Sequence, residues 1–128
     1  MKKILLFAIL LFFLSGTHAQ EINIPAQFPG GDSAWNQYIS NAFIKQNMIN
    51  QTTKKDIERF GNTQRVVYTF AILTDGTIGI INIEGAASQA VRNEIQRVLK
   101  NSPRWTAATV NGNPVVYRKK QVSTFTFD

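Results

Sequence analysis

From Thr63 onward the chain alternates with a period of two: Val66, Tyr68, Phe70 and Ile72 fall on one side, Val67, Thr69, Ala71 and Leu73 on the other. That spacing predicts a β-strand, and apolar residues on both sides predict a central one. Asp75-Gly76 provides the residues of a tight hairpin turn, after which Ile78, Ile80, Ile81 and Ile83 supply a returning strand. The period then lengthens. Val91, Ile95, Val98 and Leu99 mark an amphipathic helix from about Ser88 to Asn101, with Arg92, Glu94, Arg97 and Lys100 on its wet side. Pro103 bars its continuation. Asn111-Gly112 predicts a second tight turn, leading into one long strand from Val115 to Phe127. In that strand Val115, Tyr117, Phe125 and Phe127 share a parity with Lys119, Gln121 and Ser123. So broken an alternation predicts either a bulge or a strand that runs past its helix cover.

Upstream, Trp35, Tyr38, Ile39, Ala42 and Phe43 recur at helical spacing, which predicts a helix from about Ser33 to Ile44 with Asp32 as its N-cap. Residues 44–52 are polar apart from Met48 and Ile49 and read as a loop or frayed helix. Thr53 to Phe60 fits a short helix stopped by Gly61-Asn62, with Asp56 three residues after Thr53 as in a capping box. Glu21 to Gly31, with two prolines and two glycines, reads as an extended lead-in. The fold class expected is α+β. A right-handed crossover gives a three-stranded antiparallel sheet in the order second, first, third, with two main helices on one face. The last strand is then an edge.

The first residues carry a different pattern. Lys2 and Lys3 precede an unbroken apolar run from Ile4 to Leu14, and Ser15 to Ala19 are mostly small. This predicts a signal peptide over residues 1–19, followed by the lead-in over 20–31 and one domain over 32–128. Eleven apolar residues fall short of the roughly 20 that span a bilayer. The expected product is periplasmic or secreted. Its loss of Lys2 and Lys3 leaves twelve basic residues against eight acidic, lowering the formal charge from +6 to +4. Such a balance favours acidic surfaces, but with export it argues against nucleic acid as a partner.

Chemistry is scarce. There is no cysteine, and the only histidine, His18, lies in the predicted signal. The mature domain thus lacks the usual general base, the thiol nucleophile and the commonest zinc ligands, and no cofactor or metal is expected. The acidic residues are Glu21, Asp32, Asp56, Glu58, Asp75, Glu84, Glu94 and Asp128. Paired carboxylates can serve glycoside hydrolysis. Caps, turns and wet helix faces account for most of this set, so the residues argue against an enzyme. Trp105 reads as a core plug, with ligand stacking as the other use of an indole.

Taken together, the strand from Val66 to Leu73, the Asp75-Gly76 turn, the strand from Ile78, the helix, Trp105 and Asn111-Gly112-Asn113-Pro114-Val115 resemble the C-terminal domain of TonB. Pro25 to Gly31, with its Phe28-Pro29-Gly30-Gly31, resembles the lead-in of one branch of TonB-like proteins. The resemblance implies an exported, stand-alone module acting in or around TonB-dependent transmembrane transport. Its partner would be an extended peptide of an outer-membrane or envelope protein, captured on the edge of the last strand. The partner-binding positions implied are Val116, Arg118, Lys120, Val122, Thr124 and Thr126. Arg118 and Lys120 have two readings: they keep the edge from pairing with other sheets, or they select an acidic or polar segment. The alternative function is a structural module of the cell envelope that binds peptidoglycan or anionic surfaces. Exposed edges also permit a strand-swapped homodimer.

Overall fold

A computed structural model describes residues 21–127. The predicted signal over 1–19, His18 and Asp128 lie outside the described residues. The elements are β1 (Asn23–Ile24), α1 (Gly31–Ala42), α2 (Lys45–Gln51), α3 (Lys54–Phe60), β2 (Thr63–Ile72), β3 (Ile78–Glu84), α4 (Gln89–Lys100), β4 (Ala108–Val110), β5 (Asn113–Val115) and β6 (Tyr117–Thr126). The main sheet has the order β3-β2-β6, all antiparallel. This is the order expected, with the doubly apolar β2 in the centre.

The two periodicities meet in one core. Val66, Tyr68, Phe70 and Ile72 of β2 are fully buried, as are Val91, Ile95, Val98 and Leu99 of α4. Trp35 and Ile39 of α1 join the same cluster. Trp105 plugs it, with ring centroids 4.9 Å from Trp35, 5.4 Å from Phe28 and 6.2 Å from Phe70. Its indole N–H donates to Ser102 Oγ at 3.0 Å. The helices therefore lie over one side of the β2 pleat.

The turns form where their residues require them. Asp75 Oδ1 accepts from the Thr77 amide at 3.0 Å, and the Gly76 amide donates to Leu73 O at 2.9 Å. Gly76 has φ 84°, and a Cβ placed there would stand 2.0 Å from Trp105 O. Only glycine lets the hairpin tip dock under Trp105. Asn111 and Gly112, at φ 51° and 83°, close the β4–β5 hairpin, the double positive-φ geometry that an Asn-Gly pair favours.

Several expectations are corrected. The extended lead-in is paired and packed onto the body, which its residues alone did not indicate. β1 pairs with β4, Gln27 bridges Thr106, and Ala26 and Phe28 are buried, giving a second sheet of order β1-β4-β5. Lead-in and body share a core. The single strand over Val115 to Phe127 is two strands, broken at Val116 where the chain leaves the small sheet for the main one. The sequence expectation left a choice between a bulge in this strand and a run past its cover. β6 in fact keeps an unshifted register with β2 through ten pairs, from Thr63↔Thr126 to Ile72↔Tyr117. The register shift sits in β3, between the pairs Thr69↔Asn82 and Ala71↔Gly79, with Ile80 at φ 50°.

Helix boundaries also move. The N-cap of α1 is Gly30 at φ 90°, and Asp32 lies in the first turn without a capping hydrogen bond, where its charge faces the positive end of the helix dipole. Residues 45–51 form the helix α2, because Met48 is buried and the helix start is held from α4. The capping box at α3 forms as read, with Asp56 N donating to Thr53 Oγ1 at 3.2 Å and Thr53 N to Asp56 Oδ2 at 2.9 Å. Ser88 caps α4.

Candidate functional site

β6 borders the main sheet. Among the described residues, its only strand partner is β2. β1 is engaged with β4, so the described N-terminal residues leave the outer border of β6 uncovered. A strand of ten residues thus offers main-chain donors and acceptors on one side to an added strand.

Alternation along β6 divides its side chains between two environments. Arg118, Lys120, Val122, Thr124 and Thr126 are exposed on the open face of the sheet. Tyr117, Lys119, Gln121, Ser123 and Phe127 are half-buried, and Phe125 is buried, on the helix-covered side. Five of the six positions named from the sequence therefore share one face of one strand. Val116 does not belong with them: it is half exposed but lies at the break between β5 and β6, outside the paired register.

On the helix side a groove of about 470 Å³ runs between β6 and α1. Its walls are Asn36, Ile39 and Ser40 of α1, Phe43 just beyond it, and residues 121–125 of β6. Packing and hydrogen bonds fix these walls. Trp35 Nε1 donates to Gln121 Oε1 at 3.0 Å, which ties α1 to the border strand. Phe43 meets Phe125 edge to face, centroids 4.9 Å apart. Tyr68 OH and Ser123 Oγ are 2.8 Å apart. Burial pushes the tyrosine up to about 12 despite that hydrogen bond, so the phenol stays neutral.

A second cluster holds the helical wall in place. The Glu94 carboxylate is buried and accepts from the Ile44 amide at 2.6 Å, from Asn47 Nδ2 at 3.2 Å, and from Arg97 Nε and Nη2 at 2.7 and 2.8 Å. Arg97 Nη2 also donates to Ala42 O at 2.8 Å. Burial raises the Glu94 carboxyl, but the hydrogen bonds from Arg97, Ile44 and Asn47, with the charge of Arg97, outweigh it and hold the group below its ordinary range. Glu94 is thus not on a wet helix face as the periodicity suggested. α2 covers it, and together with Arg97, which holds Ala42 O, it anchors the chain on both sides of the α1–α2 junction, next to Phe43.

On the open face the cations of β6 are separated by β2 from the exposed carboxylate of Glu84, which stands on β3 opposite Val67. Across from Arg118 and Lys120 on β2 stand Ala71 and Thr69. The one ion pair among the described residues is Glu94–Arg97, so neither β6 cation has a carboxylate partner there. No group of three metal-ligating side chains is found among the described residues. No helix among them is long and apolar enough to cross a membrane.

The groove residues Asn36, Ser40, Gln121 and Ser123 were not anticipated as site residues. The signal for the last two was present in the parity of the final strand, where polar residues occupy positions otherwise apolar. What periodicity lacks is the angle at which α1 crosses β6. No family model matches this sequence, and no curated protein matches it.

Proposed function

We propose that this protein is a non-enzymatic protein-binding module that captures an extended peptide by adding it as a fourth strand outside β6. The uncovered ten-residue border of β6 carries this reading. It is the mode implied by the resemblance of Asn111 to Val115 and the preceding hairpin to the TonB C-terminal domain, and it gives the module a place in or around TonB-dependent transport across the envelope, after export and removal of residues 1–19. The energetics limit how tightly such a module holds. Each new main-chain hydrogen bond contributes about 0.5–1.5 kcal/mol net. Ordering each peptide residue costs about 1–2 kcal/mol. The main chain alone gains less than its ordering costs, so affinity comes from side chains, and the groove beside α1 together with the exposed row on the open face supplies them.

The test is a titration of the purified protein with synthetic N-terminal segments of outer-membrane transporters, followed by amide hydrogen exchange. Slowed exchange along Tyr117–Thr126, with a change in Trp35 emission through its Gln121 contact, is the expected result. Saturation without any protection of β6 would overturn the edge reading. Co-sedimentation with cell-wall sacculi, in the absence of any peptide response, would move the protein to the peptidoglycan-binding class.

A further inference from the structure

We propose that the strand captured on β6 is acidic on one side and apolar on the other, with carboxylates at alternate positions facing Arg118 and Lys120 and a branched aliphatic side chain entering the groove at Ile39 and Phe43. The inference rests on the edge-capture reading and adds the partner's chemistry to it. A strand added outside β6 continues the pleat, so its side chains alternate between the open face and the helix side. On the open face its cross-strand neighbours are Arg118, Lys120 and Val122, and the two cations have only Ala71 and Thr69 behind them on β2. Carboxylates placed opposite would be their first partners among the described residues. Like charges directly opposite would repel.

On the helix side the added strand meets a wall of different character. Ile39 and Phe43, with Phe125 behind, form its apolar part, flanked by Asn36 and Ser40. The groove lies along residues 121–125, whereas the cations stand at 118 and 120. The two demands are thus displaced along the strand as well as divided between its faces. A partner satisfying both has its acidic positions toward the Arg118 end and its aliphatic residue toward the Phe125 end. That combination excludes a basic segment, and it gives β6 of a second copy, with its own Arg118 and Lys120, no carboxylates to offer.

The probes are three labelled heptapeptides that alternate valine with glutamate, with threonine or with lysine, titrated by fluorescence anisotropy at low salt. The glutamate peptide is expected to bind about two- to thirtyfold more tightly than the threonine peptide, the range of two exposed ion pairs, with the lysine peptide weakest. The gap closes in about 1 M salt, where screening acts within about 3 Å. In the double variant Arg118→Glu with Lys120→Glu the order of the glutamate and lysine peptides reverses. Both changes lie on the exposed face, so an unaltered circular dichroism spectrum is the control for folding. Equal binding of the glutamate and threonine peptides, with β6 amides protected by both, overturns the acidic preference while the edge reading survives. Absence of β6 protection by any of the three overturns both.

Discussion

The main sheet has two borders, and they are built differently. β3 is seven residues long and carries a register shift at Ile80, which takes positive φ although it is β-branched. β6 is ten residues long and runs in unshifted register, with cations as its only guard. A bulge bends a strand and turns its main-chain groups out of line, a common way of preventing foreign strands from pairing. Charges prevent pairing only with partners that cannot neutralise them. One border is guarded by geometry and the other by charge. The difference argues that β6, and not β3, is the strand left available to a chosen partner.

The comparison can be broken first at the hairpin that holds β3 to β2. Gly76→Ala places a methyl group against Trp105 O and forces a side chain to positive φ. Left-handed backbone alone costs roughly 1–2 kcal/mol. With the clash, the expected loss is about 3 kcal/mol or more, read as a lower denaturant midpoint at unchanged slope. A loss under about 1 kcal/mol would mean that the tip does not dock under Trp105.

Next in size is the wall that gives β6 its groove. Glu94→Ala removes the acceptor for Ile44, Asn47 and Arg97 together. Because Arg97 is itself partly exposed, the expected cost is about 2–3 kcal/mol, below that of a fully buried pair. The same group fixes a pH dependence. Its carboxyl is held below the ordinary range in the folded protein, so the stability it contributes is present above the unfolded pKa and is lost as pH falls through the folded one. Thermal melts should therefore fall in the acid range in the native protein, and by less in Glu94→Gln. Parallel acid profiles in the two proteins would remove Glu94 from that role.

How far the sequence reveals such differences depends on the range of the forces involved. Period-two and period-3.6 patterns are local, and they identify β2, β3, α4 and α1 to within a few residues, as Asp75-Gly76 and Asn111-Gly112 identify their turns. Capping is equally local at Thr53, whereas at the first helix the cap is Gly30 and not the expected Asp32. The remainder depends on contacts distant in sequence. α2 is helical because Met48 finds the core and Glu94 holds Ile44 and Asn47, partners almost 50 residues away. β1 is a strand only because β4 lies beside it. Of the two readings of the final strand's broken alternation the bulge is the one that fails: the register shift lies in β3, and Lys119, Gln121 and Ser123 are accommodated at the half-open margin of the core without breaking register. At the candidate site, the parity of Arg118, Lys120, Val122, Thr124 and Thr126 was legible, whereas Val116 was lost to a break, and of the groove only the polar positions Gln121 and Ser123 left a trace, because the crossing of α1 over β6 is set by distant contacts.

A smaller effect distinguishes strain from packing on the β3 side. Ile80 is 59% exposed, so its side chain contributes little burial, while its backbone is held where glycine is preferred. Ile80→Gly is expected to stabilise by about 0.5–1 kcal/mol, and deletion of Ile80 to remove the bulge. Sedimentation velocity should then show concentration-dependent association through a straightened β3 border. A deletion variant that stays monomeric would mean that the bulge is not what closes this side.

The smallest expected effect on stability falls on β6 itself, and it carries the comparison furthest. Arg118→Thr with Lys120→Thr removes two exposed side chains that face Thr69 and Ala71 and lack ion-pair partners among the described residues. Substitutions of this kind usually change stability by no more than about 0.5 kcal/mol. Association is a different matter, because threonine favours strands and the variant keeps only Lys119, half-buried on the helix side, as a cation where two β6 strands meet. A folded monomer of ordinary stability should now self-associate through β6, with slowed amide exchange along Tyr117–Thr126 as concentration rises. If the same variant stays monomeric at high concentration, charge is not the lock on this border, and the contrast with the bulged β3 loses its meaning.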